Sequence, residues 1–328
     1  MIASVAFRNF KALRATSLAL APFNLVIGPN GSGKTSLIES LLRLRALAKL
    51  PPAGKSPAPR RANSPEIDFR FLPPHEAIEV HLRCTSDTRC DALEVVPSGA
   101  AGWPALRAEL AEIRGYVLDH VAMGAVAARD DHAALQASGG NLAAVLARIR
   151  AETPAAFDAL TEEMLRTAPE FRGVELTARG ERVELGLKLA EDGVVPAEEL
   201  SQGMLYLLAI LTLAFDPHVP RLLCIEEVDR GVHPRLLREV RDALYRLSHP
   251  EAAGLARRPV QIVATTHSPY FIDLFREHPD EVVVAHKHGR AAKFERLSDR
   301  ADLPESLREG SLGDMWFSGI LGGVPEER

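Results

Sequence analysis

The chain has 328 residues, 46% hydrophobic and 25% charged, with a formal net charge of −5. That is enough apolar material for a large core, in one elaborated domain or in two lobes. It also excludes a global basic field of the kind that advertises nucleic acid, although a local patch could still serve one.

The N-terminus, Met1 to Arg8, lacks the charged-then-apolar layout of a signal peptide. No apolar run reaches the ~18 residues of a membrane span, so a soluble, cytoplasmic protein without a membrane partner is expected. Ile2 to Phe7 alternates as a strand, Asn9 to Leu13 reads as a turn, and Thr16 to Leu20 as a second strand. Phe23 to Ile27 is an apolar run that reads as a buried strand. It runs into Gly28-Pro-Asn30-Gly31-Ser32-Gly33-Lys34-Thr35, and then into Ser36 to Leu47, whose Leu37, Ile38, Leu41, Leu42, Leu44 and Leu47 recur at helical spacing. Strand, glycine loop and helix together are the setting of a phosphate-binding loop. The glycines let backbone N–H groups close around a di- or triphosphate. The helix N-terminus adds free donors and a favourable field. Lys34 is expected to reach the β/γ-phosphates, and Thr35 to give its hydroxyl to Mg²⁺. Lys11, in the preceding turn, either points back at the phosphates or is a solvated turn lysine.

Pro51 to Pro65 is rich in Pro, Ala, Arg and Ser, keeps no apolar period, and reads as a loop or crossing segment, with Arg60 and Arg61 inside it. Ala77 to Cys84 alternates strictly as a half-exposed strand, and Cys90 to Val96 is its hairpin partner. Cys84, Cys90 and Cys224 are too few and too scattered for a disulfide framework or a zinc site, and Cys224 reads as buried filler. From Pro104 to Pro169 the texture turns helical: Leu106, Leu110 and Ile113, then Leu142, Val145, Leu146 and Ile149, then Phe157, Leu160, Met164 and Leu165. Ser138 to Asn141 is expected to cap a helix start.

Strands return at Val174 to Thr177 and Arg182 to Leu189. Ser201 is placed to cap a long, nearly all-apolar helix, and Ser201-x-Gly203 at that N-terminus can bind phosphate through free N–H groups. Arg221 to Val228 reads as a buried strand ending in Glu226 and Glu227. Acids at the C-terminal end of an apolar parallel strand are where a Mg²⁺-nucleotide site holds its metal-associated carboxylate. Glu226 is assigned to Mg²⁺, and Glu227 to orienting or deprotonating the attacking water. Pro259 to Ser268 is another buried strand, and its His267 is expected at the same sheet edge, within reach of the γ-phosphate or the water. Glu281 to Val284 and Phe294 to Leu297 read as further strands. His278, His286 and His288 read as solvated, and the tail Gly310 to Gly323 as packing back on the body.

These motifs resemble the ATP-binding-cassette class of ATPases, in the branch of RecF, SMC-type and OLD-family proteins. The likeness rests on Asn9-Phe10-Lys11, the phosphate loop Gly28 to Ser36, Leu200-Ser-Gln-Gly-Met204 as signature, Leu222 to Glu227 as Walker B, and Thr266-His267-Ser268-Pro269 as switch. Gly139-Gly-Asn141-Leu142 is similar to the helical lobe of OLD-like and RecF-like ATPases. The opening and the tail look like stand-alone ATPases of bacterial defence and DNA-maintenance operons.

The resemblance implies a P-loop NTPase fold, α/β, with a mixed sheet and an inserted helical lobe. It implies residues 1–103 and 171–300 as the two parts of the ATP-binding lobe, 104–170 as the insert and 301–328 as a tail. ATP and Mg²⁺ would be the ligands, with Asn30, Gly31, Ser32, Gly33, Lys34, Thr35 and Ser36 around the nucleotide, and Lys11 beside it. ATP would gate a homodimer in which Ser201 and Gly203 reach the partner's γ-phosphate. A separate nuclease or toxin would act as effector, with DNA as a further partner. Alternatives are a slow-turnover scaffold and a transporter's energising subunit. The signature differs from the transporter-type Leu-Ser-Gly-Gly-Gln, Glu226 stands where Asp is commoner, and Gln136 and Gln261 are badly placed for a Q-loop. There is no long heptad region, and little chain remains after His267 for a nuclease domain.

Overall fold

A computed structural model of the protein describes residues 1–50 and 64–322. The loop expected at 51–65, with Arg60 and Arg61, lies almost wholly outside the described residues. The chain divides into two compact units: Met1–Gly115, Pro220–Glu226 and Val260–Arg328 form the first, and Tyr116–Val219 with Glu227–Pro259 the second. The helical insert expected at 104–170 differs in extent from this division, because the segment Trp103–Ala111 belongs with the first unit and residues 171–219 with the second.

In chain order the first unit contributes β1 (Ile2–Phe10), β2 (Leu13–Ala19), β3 (Phe23–Ile27), α1 (Lys34–Lys49), β4 (Glu66–Phe71), β5 (Glu79–Ser86), β6 (Arg89–Val96), α2 (Trp103–Ala111) and β7 (Ile113–Tyr116). The second unit follows with α3 (His120–Gly124), β8 (Ala127–Ala128), α4 (Leu142–Glu152), α5 (Pro154–Thr167), β9 (Phe171–Arg179), β10 (Arg182–Leu189), β11 (Val194–Pro196) and α6 (Gln202–Phe215). The chain then supplies β12 (Leu222–Ile225) to the first unit and α7 (Leu237–Ser248) to the second. It ends in the first unit with β13 (Gln261–Thr265), α8 (Pro269–Asp273), β14 (Val282–His288), β15 (Ala291–Arg296), α9 (Leu303–Glu309) and α10 (Leu312–Phe317).

The first unit holds two sheets. One is antiparallel, in the order β2-β1-β4-β5-β6. The other runs β15-β14-β3-β13-β12-β7, and its β14, β3, β13 and β12 are mutually parallel. Every residue of β3, β12 and β13 is buried, which is why these strands read as mainly apolar runs rather than alternating ones; the buried Asn24 in β3 is accommodated by donating to the carbonyls of Ala21 and Ile262. Phe7, Phe10, Leu41, Phe69, Leu82 and Val263 meet in the core between the sheets and α1. α1 offers this core Leu37, Ile38, Leu41 and Leu44, the i, i+3, i+4 spacing of one helical face.

In the second unit α6 is buried from Gly203 to Ala214 on all sides, as its uniformly apolar sequence demands. Arg148 and Asp216 form a buried ion pair at 2.5 Å, with side chains 5% and 7% exposed. The Tyr206 hydroxyl donates to the Leu118 carbonyl. Burial pushes the Tyr206 phenol up, the main cause ahead of the opposing pull of Arg230 and of a Gln202 hydrogen bond.

Several local expectations change. Asn141 does hold the N-cap position of α4, but makes no side-chain cap bond. Its carboxamide instead ties the preceding loop, accepting from Gln136 N at 2.8 Å and donating to the carbonyls of Asp131 and Ala134 at 2.9 Å each. His286 is not a solvated surface residue: it bonds Glu295 at 2.7 Å, because β14 and β15 pair next to it. The His288 side chain lies outside the description. The tail does fold back, burying Leu312, Met315 and Trp316, yet it leaves Phe317 82% exposed. Cys84 and Cys90, read as too few and too scattered with Cys224 for a disulfide framework, form one disulfide across the β5–β6 hairpin, because the turn between them closes the strands directly over that pair. Cys224 is buried filler as expected, and burial pushes its thiol far up, so it stays protonated and inert.

Candidate functional site at the ends of three parallel strands

The strand order β3-β13-β12 and the parallel registers put the C-terminal ends of three strands side by side. Beyond β3 comes the glycine loop, beyond β12 Glu226, and beyond β13 Thr266 and His267. This is the sheet edge where open α/β sheets bind ligands.

The loop is built by its glycines. Gly31 and Gly33 have φ of 74° and 96°, the left-handed region that side chains disfavour. Gly28 lies under Ala285 and Ser32: a Cβ there would come 2.6 Å from the Ala285 carbonyl oxygen and from Ser32 Oγ. Gly33 is the N-cap of α1, so the first N–H groups of that helix open onto the loop with no side chain capping them. Lys34 folds its ammonium onto the loop, donating to the carbonyls of Gly28 at 2.7 Å and Pro29 at 3.1 Å. Thr35 Oγ1 donates to Glu226 Oε2 at 3.4 Å. Asn30 is exposed beside the loop, and Ser36 is buried in the first turn of α1.

These residues fit a nucleotide phosphate with its cation. The Ser32 hydroxyl is fully buried and has no hydrogen-bond partner among the described residues, a cost of roughly 1–3 kcal/mol that a bound phosphate or water would remove. One ammonium, one hydroxyl and one carboxylate converge at the N-terminus of α1, which is the ligand set that a Mg²⁺-phosphate demands.

Two neighbours were not found in the sequence. Lys287 of β14 is an exposed lysine whose Nζ would lie 3.3 Å from a Cβ on Gly31, a second cation beside the loop. Glu39 of α1 takes the Lys11 ammonium in an ion pair. Lys11, with φ of 52°, is thereby held to α1. Both relations join distant segments, and only a register for β14 or the turn at Lys11 would have signalled them.

Ser201, Gly203 and Glu227 belong to the second unit. Ser201 Oγ accepts from Met204 N at 3.3 Å, so Ser201 caps α6 as the sequence predicts. Gly203 packs on the turn after Glu227: a Cβ on it would come 2.9 Å from the Gly231 carbonyl. Glu227 follows Glu226 directly and is a non-glycine residue at φ 48°, with Arg230 Nε 3.8 Å from its carboxylate. Such a backbone persists only where the surroundings enforce it, and it is found most often at functional sites. Gln136 and Gln261, read as badly placed for a Q-loop, are engaged elsewhere. Gln261 is buried and bonds both the N–H and the carbonyl of Ile2 at 3.0 and 2.9 Å, and Gln136 bonds Asp131.

Among solved structures, the chain is similar to the Smc head bound to the C-winged helix domain of ScpA, with a TM-score of 0.62 and 15% identity over 90% of this chain and 96% of that one. It is similar to the SMC head domain from Thermotoga maritima, at TM-score 0.51 and 15% identity, covering 90% of this chain and 98% of that one. It is also similar to the Smc head with an extended coiled coil bound to the C-terminal domain of ScpA from Pyrococcus furiosus, at TM-score 0.56 and 13% identity, covering 94% and 99%. No match is found among curated proteins. Fold and motif order define an ABC-class P-loop ATPase head of the RecF/SMC-like branch. The chain belongs to the AAA-domain family described as putative AbiEii toxin, type IV TA system, which matches residues 23–273. Among the described residues no helix is long and apolar enough to cross a membrane.

Proposed function

We propose that the protein is a Mg²⁺-dependent ATPase whose ATP-bound form pairs head to head, forming two composite sites. The observation that supports this best is the convergence of Lys34 and Thr35, after β3, with Glu226, after β12, at one edge of the parallel sheet, with Thr35 and Glu226 3.4 Å apart. Lys34 and the N–H groups of residues 30–36 bind the phosphates. Thr35 and Glu226 hold Mg²⁺, which when bound neutralises charge on the phosphate oxygens. Glu227 orients and deprotonates the attacking water, and His267 hydrogen-bonds that water or the γ-phosphate. Ser201 and Gly203, at an open helix N-terminus, meet the γ-phosphate held by the partner copy. Lys11 joins the nucleotide only by giving up Glu39.

The cycle drives or regulates a separate cytoplasmic effector, a nuclease or toxin of DNA maintenance or anti-phage defence. The toxin–antitoxin description of the family and the OLD-like order of motifs support that reading, and DNA is a further ligand on the same grounds. A slow-turnover scaffold is the second reading, favoured by the Arg230 guanidinium beside Glu227, which competes with water for the catalytic carboxylate.

Size exclusion with light scattering on Glu227→Gln, with and without Mg-ATP, tests the first reading. A shift from monomer to dimer that requires ATP is expected. An assembly that ignores ATP would discard the gated dimer and put the scaffold first.

A further inference from the structure

The ATPase reading leaves Cys84 and Cys90 unused. They face one another across β5 and β6 and are joined as a disulfide six residues apart. Their surroundings differ. Cys84 is buried at 3% exposure, whereas Cys90 is partly open, next to the exposed tip residues 85–89. Arg43 of α1 places Nη1 3.4 Å from Cys90 Sγ.

The same arginine connects the hairpin to the nucleotide loop's helix. Its Nη2 donates to the Asp87 carbonyl at 3.1 Å, and Asp87 Oδ1 accepts from Lys11 N at 3.1 Å. Glu39 binds both Arg43 and Lys11, and the Arg43 guanidinium lies 4.9 Å from the centre of the Phe10 ring. The segment between the two cysteines therefore grips α1, the helix that begins with Lys34 and Thr35, and holds Lys11 as well.

We propose that Cys84 and Cys90 are a redox-active dithiol–disulfide site that exchanges with low-molecular-mass thiols, with Cys90 as the attacking sulfur, and that its state sets the hairpin's grip on Lys11 and α1. A guanidinium beside a sulfur favours negative charge there, and the thiolate is the nucleophile. In the reduced protein the Cys90 thiolate attacks a small disulfide of the glutathione class. A mixed disulfide forms on Cys90, and the released half leaves as a thiolate and takes a proton. Cys84 then loses its proton to water and attacks the Cys90 sulfur, which closes Cys84–Cys90 and expels the second small thiol. Two protein thiols are oxidised, and one small disulfide is reduced to two thiols. A small dithiol or an excess of monothiol runs the steps in reverse, entering at accessible Cys90. A passive staple of a hairpin would need neither an open sulfur nor a guanidinium against it.

The coupling to Lys11 and α1 rests on the ATPase reading, while the exchange chemistry does not. The full chain is reduced with dithiothreitol, desalted and titrated with oxidised glutathione while intact mass is followed. The wild type should lose two hydrogens without retaining an adduct. Cys84→Ser should accumulate one glutathione adduct on Cys90, and Cys90→Ser should take none. In the Cys84→Ser background, Arg43→Gln should slow adduct formation at neutral pH several-fold. No adduct on Cys90, or equal rates with and without Arg43, overturns the proposal. In a second arm, the affinity for a fluorescent ATP analogue should differ several-fold between the oxidised and reduced wild type. It should not respond to redox state in the Cys84→Ser/Cys90→Ser double variant. Equal affinities in the two wild-type states overturn the coupling. If neither state binds nucleotide, the ATPase reading fails, and the adduct measurements alone decide the site.

Discussion

Lys34 donates to two loop carbonyls, so its charge is already seated where a phosphate must enter. A charge-assisted hydrogen bond contributes about 1.5–3 kcal/mol, and Lys34→Ala should therefore weaken ATP on the order of a hundredfold, as read by calorimetric titration. Retained tight binding would remove the phosphate assignment. Lys287 is exposed beside Gly31, and a single solvent-exposed charge contributes about 0–1 kcal/mol. Lys287→Ala should then cost only a fewfold in affinity, and more at low ionic strength than at high. A hundredfold loss would make it the main phosphate ligand instead. Ser32 differs in kind: its hydroxyl is buried without a partner among the described residues, and Ser32→Ala removes a penalty in the free protein while it removes a donor from the bound one. Thermal stability without nucleotide should hold or rise, and the stabilisation gained from ATP should fall.

The strands β3, β12 and β13 were legible because a strand buried on both faces has no polar alternation to obscure it, and each stops abruptly, β3 at the glycine loop and β12 and β13 at polar residues. α6 was legible at its first residue, since Ser201 followed by an unbroken apolar stretch has few other solutions. β4 was missed although Glu66 to Phe71 alternates well, because it emerges from a Pro- and Arg-rich stretch that reads as loop to its end. β7 is four residues wedged after α2 and was absorbed into a helical stripe. What no local pattern encodes is which segments become neighbours. Arg43 meets Asp87 and Cys90, and Lys11 meets Glu39, only because β1 and the β5–β6 hairpin share a sheet that packs on α1. The cap itself gives a prediction. Ser201→Ala loses the bond to Met204 N and should cost about 1 kcal/mol of stability, whereas Ser201→Arg should abolish ATP-induced dimerisation while leaving monomer affinity intact. A dimer that survives Ser201→Arg, by light scattering, would separate this helix end from the interface.

The division of labour between the units gives the remaining test. Lys34, Thr35, Glu226 and His267 lie in the first unit, which has its own core, and Ser201, Gly203 and Glu227 lie in the second. Arg148 is the weak point of the second unit. Its Nη2 meets Asp216 at 2.5 Å and its Nε donates to the His132 carbonyl at 2.8 Å, while the other Asp216 oxygen accepts from His218 N at 2.9 Å. Arg148→Met keeps the volume but strands a buried carboxylate, a loss of about 3–5 kcal/mol. That is a large part of what a domain of this size has to lose. A core of its own lets the first unit outlast the second. Arg148→Met should then show, by calorimetry, a separate early transition that ATP does not shift. At temperatures between the two transitions the protein should still bind an ATP analogue, yet neither dimerise nor hydrolyse it. Binding and dimerisation lost together in one transition would mean that the phosphate loop depends on the second unit for its fold. The nucleotide could then act on the dimer only through the chain as a whole.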